Sequence, residues 1–493
     1  MEAQEIDPAN TVFVIVSFEG PDPYSMAGGL GVRATHLSVT LSTMGFPVHL
    51  FFVGDAHRPG EEVRAGGKLM LHRWCQWITQ YYPDGVYQGE DEKLYDFNES
   101  LPWFLVDHIV RPAVAEGKMV VILGEEWHTA EAMCRISDLL YYNNLRDKAL
   151  LFWNANNTTS FHRINWGRLA FTTTITTVSR YMKQIMKGMG LNPIVIQNGI
   201  PHLLLPKVDE RAALRLRSYL PSNLVLSKVA RWDPAKSWME SMEAVARLKS
   251  MGLMVSFLVR GGVETYGGEV LARARSLGLK VQDARSYGDS REDFFKAIEA
   301  SRGADVINLL FPIPQSFLRV IYHASDAVLA NSSHEPFGLV GLEAMAAGAV
   351  PVLGGTGEDY AIPFRNCFVC ESTNPEEIVH YALYLHQHPE RRAAMRRAAR
   401  RTARAFTWEA AARNLVNRLE HQARAQGMLV WTGIDRRPAA ETRQQDLPEK
   451  PITIPWPAWT DERVLVPLQG AQAAAAEAHP GFLTEILRST FVS

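Results

Sequence analysis

"ASDAVLANSSHEPFGLVGLEAMAAGAVPVLGG", from Ala324 to Gly355, holds a whole structural unit. "ASDAVLANSS" reads as a short apolar strand running into a polar loop. "HEPFG" continues that loop, "LVGLEAMAAG" reads as a helix, and "GAVPVLGG" as a second strand closed by glycines. Strand, loop, helix, strand in this order joins two parallel strands, which are buried on both faces and so lack polar alternation. The helix carries Glu343 among residues too apolar for a solvent-exposed helix, and Glu335 stands eight positions earlier in the loop. Carboxylates are seldom buried without a partner, so a ligand is the expected complement.

In sheets wound this way, ligands bind beyond the carboxyl ends of the strands, where loops lead into helices. The helix-start amides of Gly338, Leu339 and Val340, just after Phe337, face that opening and can receive an anion or sugar hydroxyls. Glu335 beside them accepts hydrogen bonds from neutral hydroxyls. Two spaced carboxylates suit a ligand with two hydroxyl-bearing ends, such as a sugar and a ribose joined by a diphosphate. The diphosphate needs cations, and "RWDPAKS" supplies Arg231 and Lys236 just after the strand "LVLSKV". Glycine clusters follow strands at Gly28, Gly29 and Gly31 in "AGGLG", and at Gly354, Gly355 and Gly357 in "GGTGED". Both permit close backbone approach to a ligand.

The same alternation extends in both directions. "TVFVIVSFEG", a glycine-rich loop, the helical "VRATHLSVTLSTMG" and "FPVHLFFVGD" form a βαβ unit near the start; "KMVVIL", "ALLFWNA", "TTTITTVS" and "IVIQNGI" complete the first half. "LVLSKVARWD", a helix over "SWMESMEAVARLKSMG" and "MVSFLVRGG" restart the pattern. The expected fold is α/β, with two doubly wound Rossmann-like domains facing across a cleft, residues 1–200 and 201–427, and a hinge near Gly199 to Pro206. Residues 428–493, Pro/Trp-rich and then Ala-rich, read as an extended tail without chemistry of its own.

Composition bounds the function classes. A chain of 493 residues is too long for one core, and at 47% hydrophobic and 21% charged it has the make-up of a soluble globular protein. A net charge of −2 gives no global signal for nucleic acid. No apolar run reaches the ~18 residues of a membrane span, and the acidic, polar "MEAQEIDPAN" does not read as a secretory signal. Four cysteines imply no disulfide framework, so a cytoplasmic setting is expected. Cys367 and Cys370 in "CFVC" sit in a strand-like segment without further metal ligands at matching spacing, and read as structural. "RRAAMRRAARRTARAF", Arg391 to Phe406, sets seven arginines on one helical face. A solvated face is the favoured reading, with peripheral contact to an anionic membrane second.

"EPFGLVGLE" resembles the E-x7-E signature of retaining glycosyltransferases of the GT-B fold, the family-4 type also called glycosyl transferases group 1, distantly similar to glycogen and starch synthases. "GGLG", "WHTA" from Trp127, "TVS" from Thr177, "NGI" from Asn198 and the Arg231/Lys236 pair occur in that family's order, over about residues 12 to 425. The resemblance implies a nucleoside-diphosphate-sugar donor held mainly by the second half and a hydroxyl acceptor (glycan, lipid or small molecule) by the first. It implies that Glu335 touches the donor sugar, Glu343 the ribose, and Arg231 and Lys236 the diphosphate. No further cofactor, no metal and no nucleic acid is called for.

Departures from the family point to further pocket positions. Starch and glycogen synthases usually carry a lysine two residues before "GGLG"; Met26 stands here, which argues against a glucan synthase. Where relatives often read His-Asp-Trp-His, this chain reads Glu125-Glu126-Trp127-His128. Where many have a sugar-contacting histidine, it reads "NANNTTSFHR". Glu126, His128 and Asn156 are therefore pocket candidates, and His162 a candidate catalytic group. The alternative function is a nucleotide-sugar epimerase or a non-catalytic nucleotide-sugar-binding module on the same scaffold.

Overall fold

The computed structural model describes residues 5–429; the sequence-derived tail thus lies, beyond its first two residues, outside the described part. The apolar run at Thr11 becomes β1 (Thr11–Val16), buried along its whole length. It lies between β2 (Val48–Val53) and β5 (Met119–Glu125), parallel to both. The rest of this sheet is β3 (Glu61–Arg64), β4 (Leu69–Trp74), β6 (Ala149–Ala155), β7 (Thr174–Thr177) and β8 (Ile194–Val195), in the order β3-β4-β2-β1-β5-β6-β7-β8. Only β3 is antiparallel, pairing with β4 at the sheet edge. Neither of these two strands was expected from sequence; "EEVR" is polar on the edge and gives no apolar run.

The second sheet comprises β9 (Leu224–Val229), β10 (Val255–Arg260), β11 (Val281–Ala284), β12 (Val306–Leu309), β13 (Ala327–Ala330), β14 (Pro351–Leu353) and β15 (Phe368–Val369). It is parallel throughout, in the order β11-β12-β10-β9-β13-β14-β15. The order reverses direction at β9 and β13, and the loops leaving these two strands carry Arg231, Lys236 and Glu335. That is the switch point where a doubly wound sheet opens a crevice.

The chain crosses between the lobes twice, side by side. Ile200 N donates to Phe406 O at 2.9 Å, and Trp408 N donates to Ile200 O at 3.2 Å. Gly199 lies so close to the second crossing that a Cβ there would come within 2.3 Å of the Thr407 carbonyl carbon. The last helix, Trp408–Ala425, was grouped by sequence with the second half. It instead packs Leu415, Leu419 and Ala423 into the core of the first sheet, with Phe13, Leu50 and Phe52.

The arginine-rich segment corrects the reading of a wholly solvated face. In helix Pro389–Ala403, Arg392, Arg396 and Arg400 follow at intervals of four and turn inward. Arg392 pairs with Asp326, Arg396 donates to Gly348 O at 2.5 Å and to His323 O, and Arg400 donates to Leu205 O at 2.9 Å. Burial lowers the Arg396 pKa to about 10. Arg396 and Arg400 satisfy carbonyls at helix ends and Arg392 a buried carboxylate, demands set by tertiary packing and invisible in the charge pattern. Among the described residues no helix is long and apolar enough to cross a membrane.

Candidate active site

On the second lobe, the site is built from two loops held together by their backbones. Asp233 caps the turn after β9, its carboxylate accepting from Ala235 N at 2.8 Å. Ser333 N donates to Ala235 O at 2.9 Å, tying the loop after β13 to the loop after β9. Lys236 then reaches across to Glu335, Nζ to Oε2 at 2.8 Å, with both side chains about one-fifth exposed (21% and 23%). Arg231, by contrast, is 67% exposed, its nearest carboxylate Asp233 being 3.9 Å away. It keeps its guanidinium available.

Gly338 starts the helix Leu339–Ala346 with φ 79°, and no side chain caps that end. Glycine is required there twice over: by the left-handed backbone, and because a Cβ would come within 2.8 Å of Glu358 Cγ and the Tyr360 hydroxyl. Tyr360 donates a short hydrogen bond to Gly338 O. Phe337 is buried in an apolar cluster shared with the first lobe, so it shapes the loop.

Glu343 is held up at about 7 by burial, opposed by a hydrogen bond with Gln315, the residue that opens the helix after β12. Glu358 was missed in the sequence, where only the glycines of "GGTGED" drew notice. It is 4% exposed and raised to about 8 by burial, with Glu335 pushing the same way and Lys236 opposing. Its Oε2 has no hydrogen-bond partner. The glycines before it serve packing: a Cβ at Gly354 would lie 1.8 Å from Ser332 O.

The first lobe differs from expectation. Glu19, 3% exposed, accepts from Ala27 N, Gly28 N and Gly31 N at 3.2, 2.8 and 2.9 Å, and makes a short bond with the Tyr87 hydroxyl. The amides of Gly28 and Gly31, expected to face a donor, are thus occupied by the chain itself. Gly29 has open space where a Cβ would stand.

Glu125 is similarly satisfied. It pairs with Arg33 at 3.0 Å, side chains 1% and 3% exposed, and accepts from Asn154 and Asn156 Nδ2 at 2.9 and 3.1 Å. Glu126 sits at φ 69° and ψ 168° and accepts from the Asn156 and Asn157 amides at 2.5 and 3.0 Å. Burial nonetheless raises its pKa to about 8.

His128 is a wall residue: 4% exposed, stacked on Phe18 at 4.3 Å, with Nε2 2.8 Å from Glu90 Oε1. Burial lowers its pKa, against the pull of Glu90. His162 is exposed on the short turn Phe161–Arg163 and makes no hydrogen bond or ion pair among the described residues. It is not brought to the Lys236–Glu335 pair.

Contacts between the lobes border the same loops. Tyr181 Oη and His334 Nδ1 are 2.9 Å apart, and Asp359 accepts from Arg180 N at 3.1 Å and from Gln197 Nε2 at 2.6 Å. Nothing in the sequence marked these residues. A cavity of about 130 Å³, lined by Ser237, Asn331, Ser332, Ser333, Gly354 and others, adjoins the two loops without including the charge pair. Another, of about 160 Å³, lies beside Trp127, His128, Asn98 and Arg163. All four cysteines are free and buried, and burial raises Cys367 and Cys370 to about 12, so neither is a reactive thiolate at neutral pH.

Residues 217–402 match the model of the family Glycosyl transferases group 1. The chain is similar to a GDP-mannose-dependent alpha-(1-6)-phosphatidylinositol dimannoside mannosyltransferase of Mycobacterium tuberculosis, 37% identical over 93 residues, covering 19% of this chain and 24% of that protein. It is also similar to the glycogen synthase of Thermus thermophilus, 25% identical over 83% of this chain and 96% of that one. The chain thus spans about a quarter of the mannosyltransferase's length. Among solved structures, sucrose-phosphate synthase from Thermosynechococcus elongatus aligns with TM-score 0.59 and 17% identity, covering 84% of this chain and 99% of that chain. The catalytic domain of Starch Synthase IV from Arabidopsis thaliana, bound to ADP and acarbose, aligns with TM-score 0.59 and 18% identity, covering 84% and 100%. The fold is GT-B.

Proposed function

We propose that the protein is a retaining glycosyltransferase that moves a sugar from a nucleoside-diphosphate donor to a hydroxyl acceptor. The observation that carries this reading is the Lys236–Glu335 pair, 2.8 Å apart beside the uncapped start of helix Leu339–Ala346. A cation and a carboxylate thus meet on the loop that leads into a helix start which no side chain caps. A diphosphate needs the cation and the helix start, and a sugar hydroxyl needs the carboxylate.

Lys236, with Arg231 free to swing in, neutralises the diphosphate as its bond to the anomeric carbon lengthens. Glu335 accepts a hydrogen bond from a donor-sugar hydroxyl. Glu343, beside Gln315, meets the ribose. As the anomeric carbon–phosphate oxygen bond breaks, the acceptor oxygen bonds the same carbon from the same face, and its proton passes to the departing diphosphate. The lobe contacts at Tyr181–His334 and Asp359 hold the cleft shut around these groups and exclude water. The first lobe, with its internally satisfied carboxylates, offers a fixed wall to the acceptor. Similarity to a glycogen synthase over nearly its full length supports the reading.

A thermal-shift panel of nucleoside diphosphates and their sugars tests it. The true donor raises the melting temperature with the logarithm of its excess, and the anomeric proton of the product, read by NMR, gives the stereochemistry. No stabilisation by any activated sugar overturns the assignment.

A further inference from the structure

Lys228 is the residue of β9 that packing explains least. It sits in a buried strand of Leu, Val and Ser, is 1% exposed, and makes no ion pair with a carboxylate among the described residues. Its Nζ donates to Asn331 Oδ1 at 2.5 Å, Ser241 Oγ at 3.1 Å and Ser237 O at 3.4 Å, and lies 5.2 Å from the Trp238 ring centre. An ammonium has three protons for these three neutral acceptors.

The acceptors belong to the loops of the charge pair. Ser237 directly follows Lys236 and holds a left-handed backbone, φ 51° and ψ 51°, which a non-glycine residue keeps only when its surroundings enforce it. Asn331 opens the segment that ends at Glu335, and its Oδ1 also accepts from Ser241 Oγ at 3.3 Å. Lys228 therefore touches both loops at their roots.

We propose that Lys228 is a positioning residue for the nucleotide-sugar site: its buried ammonium clamps the Lys236 loop to the Glu335 loop, and its charge state sets how tightly a nucleoside diphosphate is held. This rests on the function proposed above. Burial lowers the Lys228 pKa from 10.5 to about 7; Glu240 on the following helix opposes this, Lys236 adds to it, and Cys370 at the end of β15 opposes it. A diphosphate docked on Lys236 cancels that repulsion and favours the protonated form of Lys228. Binding then takes up a proton, and by reciprocity affinity falls as pH rises through the Lys228 pKa.

The test is calorimetric titration of UDP, ADP and GDP into wild type, Lys228→Met and Lys228→Arg from pH 6 to 9. Ionisation of the nucleotide is common to all three proteins and cancels in ratios. The ratio of the Lys228→Met Kd to the wild-type Kd is expected to fall by about tenfold over this range for each pKa unit that binding adds. Lys228→Arg, permanently charged, is expected to bind without that fall. A ratio independent of pH, in variants that melt like wild type, overturns the proposal. Where Lys228→Met does not fold, parallel pH curves for Lys228→Arg and wild type overturn it instead. Absence of binding by all three nucleotides at pH 6 defeats the nucleotide-sugar reading itself, and the role of Lys228 with it.

Discussion

The two lobes share one architecture and treat the carboxylates beyond the carboxyl ends of their strands in opposite ways. In the first lobe, Glu19 takes three loop amides and a tyrosine hydroxyl, Glu125 takes a guanidinium and two asparagines, and Glu126 takes two amides. In the second lobe, Glu335 has a single ammonium, Glu343 leans on one glutamine, and Glu358 leaves an oxygen with no partner. A loop whose polar groups satisfy one another is a rigid wall; a loop left with unmet hydrogen-bonding capacity has a use for a ligand. The contrast supports the proposal that the chemistry lies on the second lobe, even though both lobes present glycine-rich loops after strands.

The sharpest way to break this comparison is to remove a partner from the first lobe. Arg33→Met leaves Glu125 charged and buried, and is expected to lower unfolding stability by about 3–5 kcal/mol, read as a drop in urea midpoint. A variant as stable as wild type would erase the distinction between the lobes. Lys236→Ala should do the reverse: a loss of about 10²–10³-fold in kcat/KM, with a stability change of about 1 kcal/mol or less because the pair is partly solvated. Steady-state kinetics alongside thermal melts separate the two effects.

Glu358 sharpens the comparison through pH. Its folded pKa, about 8, stands above the ordinary 4.5, so the native state holds a proton that the unfolded chain releases between these values. Its contribution to stability is complete below about pH 4.5 and declines as pH rises towards 8. Glu358→Gln, which mimics the protonated form, is expected to match wild type near pH 4.5 and exceed it by about 1–3 kcal/mol above pH 8, measured by denaturant titration at both pH values. The smallest effect is expected at the lobe contact: Tyr181→Phe removes one hydrogen bond to His334, worth about 1 kcal/mol. It should raise KM for the donor with little change in melting temperature.

Legibility followed the range of the forces involved. The strand–loop–helix–strand order around Ala324–Gly355 was readable because parallel strands buried on both faces must be continuously apolar, and glycines must punctuate them. β3 escaped because a polar edge strand has no such constraint. Glu343 stood out as a charge in an apolar helix, and Arg231, Lys236 and Glu335 as charges in the loops that leave strands. Glu358 did not, since its burial depends on the close approach of Gly338 at the start of the preceding helix. His162 looked like a site residue by position after a strand, yet its side chain ends in solvent because the turn Phe161–Arg163 buries Phe161 instead.

By itself, the sequence determined two wound α/β lobes and the loops where charge gathers, since burial periodicity and turn chemistry are local properties of the chain. Only the tertiary structure decided which of those loops stay available. The amides of Gly28 and Gly31 are closed off by Glu19, three arginines of a charged helix are drawn inward, and Lys228 is sealed beneath the Lys236 and Glu335 loops. Each outcome depends on which polar group meets which across the fold, and hydrogen-bond satisfaction is settled between residues far apart in the chain.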